Sequence, residues 1–146
     1  MLLSKITDDD IPTLCNYVID ELHRLGTSNT KHYTDKLSAV LLQCEERWKV
    51  ETDSGTIVAF GVVEEVKKNT LHVVNYYITK EYRQTKAAYL ITKKMVELME
   101  PYPIITRKPL PNQPENKFCT GNKINKTCLK RFIQRFDKRW EVDLEQ

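Results

Sequence analysis

Between Tyr77 and Ile91 the chain reads YITKEYRQTKAAYLI. An apolar run ends at Ile78, a basic turn follows at Arg83-Gln84-Thr85-Lys86, and a helical pattern begins near Ala87. A strand that feeds a helix through such a turn offers free backbone N–H groups and the positive end of the helix dipole, so the chemistry in view is phosphate binding. Turns of this kind usually contain glycine, which lets the backbone close on the anion. This one has none. A lysine that touches phosphate directly offsets part of that loss, and Thr85 adds a hydroxyl.

A second chemistry, removal of a proton from an amine, needs a carboxylate or imidazole. Glu64, Glu65 and His72 lie on strand-like runs, and the adjacent Glu64 and Glu65 must point to opposite faces. Solvent-facing strand positions explain all three as well, and no catalytic residue is assigned. Cys15, Cys44, Cys119 and Cys128 form no C-x-x-C pair; the first two fall on apolar helix faces and read as buried free thiols. His23, His32 and His72 are scattered, so no zinc spacing appears and no metal is expected.

The elements that must position these residues follow from periodicity. Thr7 to Asp10 supplies N-cap chemistry and Pro12 suits a first helical turn. Ile11, Leu14, Val18, Leu22 and Leu25 then recur at helical spacing until Gly26. After a polar linker, Leu37, Val40, Leu41 and Cys44 mark a second helix. The period then shortens: RWKVET, TIVAFGVVEEV and LHVVNYYIT, separated by DSG and KKNT, predict a three-strand antiparallel meander over 47–51, 57–66 and 71–78. Ala87 to Met99 reads as a helix that Pro101 and Pro103 end. PIITRK is a short strand candidate, and three prolines make PLPNQPEN a loop. A last helix starts near Asn122 or Asn125, with Leu129, Phe132, Ile133 and Phe136 on its buried stripe and Lys126, Lys130 and Arg135 outside. WEVDLE alternates and reads as a closing strand.

The 146 residues, 40% apolar and 29% charged, suit one soluble domain spanning 1–146. No run reaches membrane-span length, and MLLSKITDDD turns acidic too soon for a signal peptide, so a cytoplasmic location is expected. Residues 107–146 hold ten basic and five acidic side chains, a net +5, against −2 for the rest. Such a basic third suits phosphate, nucleic acid or an acidic protein face, and equally a solvated helix face.

This order of elements resembles the GNAT (Gcn5-related N-acetyltransferase) superfamily over essentially everything from Asp8 onward. The resemblance implies a mixed α/β (α+β) fold: an N-terminal helix pair, a three-strand meander, then helix, strand, helix, strand, with helices flanking a mostly antiparallel sheet. It also implies acetyl-CoA on the fourth strand and the turn after it. There Arg83 and Ala88 match the first and last positions of the family's Gln/Arg-x-x-Gly-x-Gly/Ala turn, and Lys86 stands at the glycine. The cofactor-binding residues so implied are Tyr77, Ile78, Arg83, Gln84, Thr85, Lys86, Ala87, Ala88 and Asn125. On the last helix Asn125, Cys128 and Leu129 match, while Phe132 replaces a proton-donating tyrosine and Phe136-Asp137 replaces Gly-Phe.

Two functions follow from the resemblance. In the first, a GNAT-like protein with an eroded acetyl-CoA site, phage-encoded as some internal virion proteins of similar fold are, acts without catalysis on a virion or host protein partner, in the host cytoplasm or the virion. In the second, an active acetyl-CoA-dependent N-acetyltransferase modifies a small amine or a protein amine. Nucleic-acid binding is disfavoured, because Phe132 and Phe136 lie on the apolar stripe and not on a stacking surface.

Overall fold

The structure, a computed structural model, describes residues 1–110, 113, 119, 120 and 123–145, with 119, 120, 123 and 138–145 as backbone only. The elements run β1 Leu2–Lys5, α1 Ile11–Arg24, α2 Lys31–Gln43, β2 Glu46–Glu51, β3 Ile57–Lys67, β4 Thr70–Ile78, α3 Lys86–Met99, β5 Ile104–Arg107, β6 Cys119–Thr120, β7 Lys123–Ile124 and α4 Lys126–Glu145. They build one seven-stranded sheet in the order β1-β2-β3-β4-β5-β7-β6. Among the described residues only β4 and β5 pair in parallel, and α3 is the crossover between them.

Local chemistry sets the boundaries. Before α1, the Thr7 N–H and hydroxyl both donate to Asp10 Oδ2, at 2.8 and 3.0 Å. After it, Gly26 at φ +85° lets the chain turn back, so that Gly26 N–H reaches the His23 carbonyl and Thr27 N–H the Leu22 carbonyl. The β2, β3 and β4 meander pairs as the alternation predicts, with each of the three strands reaching a residue further.

The sheet separates two apolar cores. On one face α3 and α4 bury Tyr89, Ile91, Met95, Leu129 and Ile133 against Val50, Val63 and Val73. On the other, Leu14, Val18 and Leu22 of α1 and Leu37 and Leu41 of α2 pack on Phe60 and Val62. Burial of this kind stabilises by roughly 1.5–3 kcal/mol per large apolar side chain. Gly61 is needed where α3 presses closest: a Cβ there would overlap Met95 Sδ and lie 3.0 Å from its Cγ.

The C-terminal third departs from the sequence reading. WEVDLE is not a strand: residues 140–145 continue α4. Its alternation is real, but no proline or glycine follows Asn125 to stop a helix already propagating. The predicted helix-strand ending is therefore replaced by a short β6–β7 hairpin placed before α4. On α4, Leu129 and Ile133 are buried as expected, but Phe132 and Phe136 are only half-buried, with the Arg135 guanidinium over their rings at 5.7 and 4.8 Å. Lys130 is half-buried beside Glu100, 2.9 Å away, and Lys126 Nζ donates to the Tyr102 carbonyl. Of the loop PLPNQPEN, Pro109, Leu110 and Gln113 are coil and the remaining residues lie outside the described ones.

Candidate functional site

Parallel pairing between β4 and β5 runs only from Thr70↔Ile104 to Val73↔Arg107. β4 continues to Ile78 with no partner on that edge among the described residues. Where the pairing stops, the β3–β4 register slips: Val62 opposes Asn75 and Val63 opposes Val73, leaving Val74 as an extra residue. Such a bulge shifts the in-out alternation of the strand. Val73 and Tyr76 consequently face α3, while Val74 and Tyr77 face α1.

The strands part here into a cleft of about 530 Å³, lined from both sides of the sheet. Its α3 side is formed by Ala88 and Thr92, its α4 side by Leu129 and Phe132, and its opposite side by Val18, Glu21 and Arg24 of α1. The open edge of β4 offers backbone N–H and C=O groups to an extended ligand, as an unpaired sheet edge does.

The turn at the mouth is wound as a 3-10 segment over Lys80–Tyr82, followed by Gln84 at φ +63° and Thr85 as the N-cap of α3. Glutamine in the left-handed region is uncommon and costs free energy. The Thr85 hydroxyl donates backward to the Tyr82 carbonyl and caps no amide of the helix. The first N–H groups of α3 therefore carry no side-chain cap, which leaves the helix N-terminus competent for an anion. Arg83 lines the cleft beside it, with Nε on the Ile78 carbonyl at 3.2 Å.

Of the sequence-predicted residues, Tyr77, Ile78, Arg83, Gln84 and Ala88 line the cleft. Thr85, Lys86 and Ala87 build the turn and first helical turn without lining it. Lys86 is an ordinary helical residue, and its charge acts on Asp53, whose carboxyl is held below the usual range first by the Met1 ammonium and then by Lys86. The left-handed position that disfavours a side chain is Gln84, two residues earlier. Asn125 caps α4, its Oδ1 accepting the Cys128 N–H at 3.2 Å.

The carboxylates and histidine weighed as bases lie elsewhere. Glu64 accepts from the Cys44 thiol at 3.9 Å, Glu65 is exposed, and His72 Nδ1 pairs with Thr106 Oγ1 at 2.9 Å. The carboxylate that does line the cleft is Glu21, 9% exposed, bound by Arg24 Nε at 3.1 Å. Tyr77 stands beside it, stacked on Tyr17 at 5.7 Å; burial pushes its phenol up and the Glu21 charge adds to that, against a smaller opposing effect of Arg83. Facing α3, the Tyr76 hydroxyl is hydrogen-bonded to Thr92, and both residues line the cleft near Phe132. Sequence reasoning missed Glu21, Arg24 and Thr92, because polar positions on amphipathic helices read as solvent-facing until the fold places them at an opening. Among the described residues no group of His, Cys, Asp and Glu could hold a metal ion, and no helix is long and apolar enough to cross a membrane.

No family model matches this sequence, and no curated protein matches it significantly. Solved structures do. A GNAT-family acetyltransferase from Staphylococcus aureus Mu50 superposes with a TM-score of 0.62 at 11% identity, covering 74% of this chain and 73% of that one. A predicted acetyltransferase from Clostridium acetobutylicum, solved with acetyl-CoA, gives 0.57 at 14% identity over 83% and 95%. A GCN5-related N-acetyltransferase from Ralstonia eutropha JMP134 gives 0.55 at 13% identity over 82% and 95%. At such identities the likeness is one of architecture, and the architecture is that of the GNAT acetyltransferases.

Proposed function

We propose that this chain is an acetyl-CoA-dependent N-acetyltransferase acting on a primary amine. The observation that carries this reading is the open cleft itself, with an uncapped helix N-terminus and Arg83 at its mouth. The donor set suits the cofactor: helix amides and Arg83 for its diphosphate, the unpaired edge of β4 for the amides of its arm. When bound, acetyl-CoA supplies an activated acetyl group; transfer joins the amine nitrogen to the acetyl carbon, breaks the carbon–sulfur bond, and one amine proton ends on sulfur.

The chain's own residues then have three tasks. Arg83 and the α3 amides neutralise phosphate charge and fix the ligand's position along β4. Apolar Val73, Leu129 and Phe132 keep water from the reacting centre. Phe132 has no proton to give, whereas the hydrogen-bonded hydroxyls of Tyr76 and Thr92 line the same cleft and supply a protic group. Glu21 is the carboxylate on the opposite side, within the same opening.

The test is thermal unfolding with acetyl-CoA, followed by thiol release against a panel of amines. At a hundredfold excess over Kd, binding adds about 2.7 kcal/mol to stability. An unchanged melting temperature at millimolar acetyl-CoA would remove the proposal. A second reading, a protein that contacts a virion or host component without turnover, has Phe132 in its favour. A clear thermal shift with no thiol released from any amine would select it.

A further inference from the structure

The charges inside the cleft bear on what enters from the α1 side. Four cationic side chains among the described residues line it, Arg24, Arg83, Arg107 and Lys108, against the single carboxylate of Glu21. Arg83 stands at the α3 mouth, where a diphosphate would take its charge. Arg24 belongs to α1, on the other face of the sheet. An acceptor amine approaching from that face therefore meets Glu21, Arg24 and the ring of Tyr77.

Glu21 and Arg24 are arranged to serve both ends of a small zwitterion. The carboxylate is nine-tenths buried, and both of its oxygens accept from Arg24, Oε2 from Nε at 3.1 Å and Oε1 from a terminal nitrogen at 2.5 Å. That fixes the carboxylate in place and leaves each oxygen a second lone pair for an ammonium group. The guanidinium, with 60% of its side chain exposed, has three N–H donors that these two bonds do not use. Guanidinium recognises carboxylates through paired parallel hydrogen bonds, so an exposed fork beside a buried carboxylate matches an amine and an acid on one molecule. The net positive lining argues the same way, because it repels a polycation and tolerates an amine that carries its own negative charge.

We infer that the α1 side of the cleft is an acceptor subsite for a free amino acid, with Glu21 holding the amino group and Arg24 the carboxylate. This rests on the acetyl-transfer reading for its chemistry, but not for its binding. Polyamines and other polycationic amines are poor ligands for it.

Two measurements separate the inference from the reading beneath it. In the first, thermal shifts are recorded without cofactor for the common amino acids, for their C-terminal amides and for spermidine. At least one amino acid should stabilise the protein at a concentration about tenfold below that needed by its own amide, since the amide lacks the charged partner of Arg24. In the second, thiol release with acetyl-CoA should show the same ratio in KM. Arg24→Gln should pull the acid-to-amide ratio toward unity; because a ratio is read, a uniform loss from altered folding does not imitate it. An amide or spermidine equal to or better than every acid would overturn the inference, as would an acid-to-amide ratio untouched by Arg24→Gln. Amino-acid binding without any thiol release would uphold the subsite and refute transfer. Thiol release from amines that ignore the carboxylate would do the reverse.

Discussion

Tyr89 of α3 donates its hydroxyl to Asp137 of α4 at 2.7 Å, tying together the two helices that wall one side of the cleft. The ring is fully buried, and Lys93 Nζ donates to the same oxygen at 3.2 Å. Desolvation pushes this phenol up to about 12 from an ordinary 10.0, the bond to Asp137 adds to the rise, and Lys93 opposes it. Where the resemblance places Gly-Phe, Phe136-Asp137 supplies this helix-to-helix bond.

Tyr89→Phe should lower stability by about 1.5–3 kcal/mol, the range for a hydrogen bond to a charged group. Equilibrium urea unfolding at pH 7 measures it. Alkali provides a second signature. The folded phenol binds its proton more tightly than the unfolded one, so its contribution is complete below pH 10 and is lost as pH rises toward 12. The wild-type protein should lose stability more steeply than Tyr89→Phe across that window; parallel curves would contradict the assignment.

Lys49 is buried between Asp10 and Glu51, with Nζ at 2.6 Å from both carboxylates, and fastens β2 to the turn before α1. Lys49→Met should cost about 3 kcal/mol, the lower end for breaking a buried pair, because both carboxylates keep some solvent. Burial pushes the Asp10 carboxyl up, yet Lys49 and the Thr7 hydrogen bonds outweigh it and hold it below the ordinary 3.8. Asp10 thus stabilises the fold above its unfolded pKa, and that contribution fades as pH falls through the lower folded value. Acid titration of stability should show a loss below pH 4 in the wild type that Asp10→Asn lacks.

Gln84 holds the one left-handed non-glycine backbone among the described residues. Gln84→Gly relieves that strain but gains unfolded-state entropy, so the net change should stay within about 1 kcal/mol. Gln84→Val, β-branched at the same φ, should destabilise by about 1–3 kcal/mol. Thermal denaturation of the pair decides, and equal melting temperatures would mean the turn does not hold this geometry in solution.

Arg83 and Lys86 are three residues apart and should behave differently toward acetyl-CoA. Arg83 lines the cleft, and Arg83→Ala should weaken binding by about 1.5–3 kcal/mol, less at high salt. Lys86 does not line it, and Lys86→Ala should change affinity by less than about 0.5 kcal/mol. Calorimetric titration distinguishes them; the opposite ranking would move the phosphate site onto the lysine.

Much of this architecture is written locally. The helical spacing of Ile11, Leu14, Val18 and Leu22 and the β-branched runs on either side of KKNT give α1 and the meander without tertiary help. β1 is different: Leu2–Lys5 has too few residues for a period to show, and it is a strand because β2 pairs with it. WEVDLE fails for a related reason, since six alternating residues carry less weight than a helix arriving uninterrupted from Lys126. The site divides likewise. Arg83 and Gln84 were visible because they stand in one turn. Glu21, 62 positions from Arg83 in sequence, joins them only through the parting of β4 from β5.

The extra residue at Val74 makes β4 behave like a reading frame with a single inserted letter. Upstream of it, odd-numbered side chains Leu71 and Val73 belong to the α3 side; downstream, even-numbered Tyr76 and Ile78 do. Substitution at Val74 alters one contact, and its deletion would restore an unbroken period while leaving Tyr76 on the α3 side and Tyr77 on the α1 side. Pairing the same residues without the bulge is what would exchange them: the hydroxyl now paired with Thr92 would stand beside Glu21, and the ring now stacked on Tyr17 would turn to α3. The bulge, and not the identity of the residue in it, therefore decides which tyrosine meets which wall of the opening.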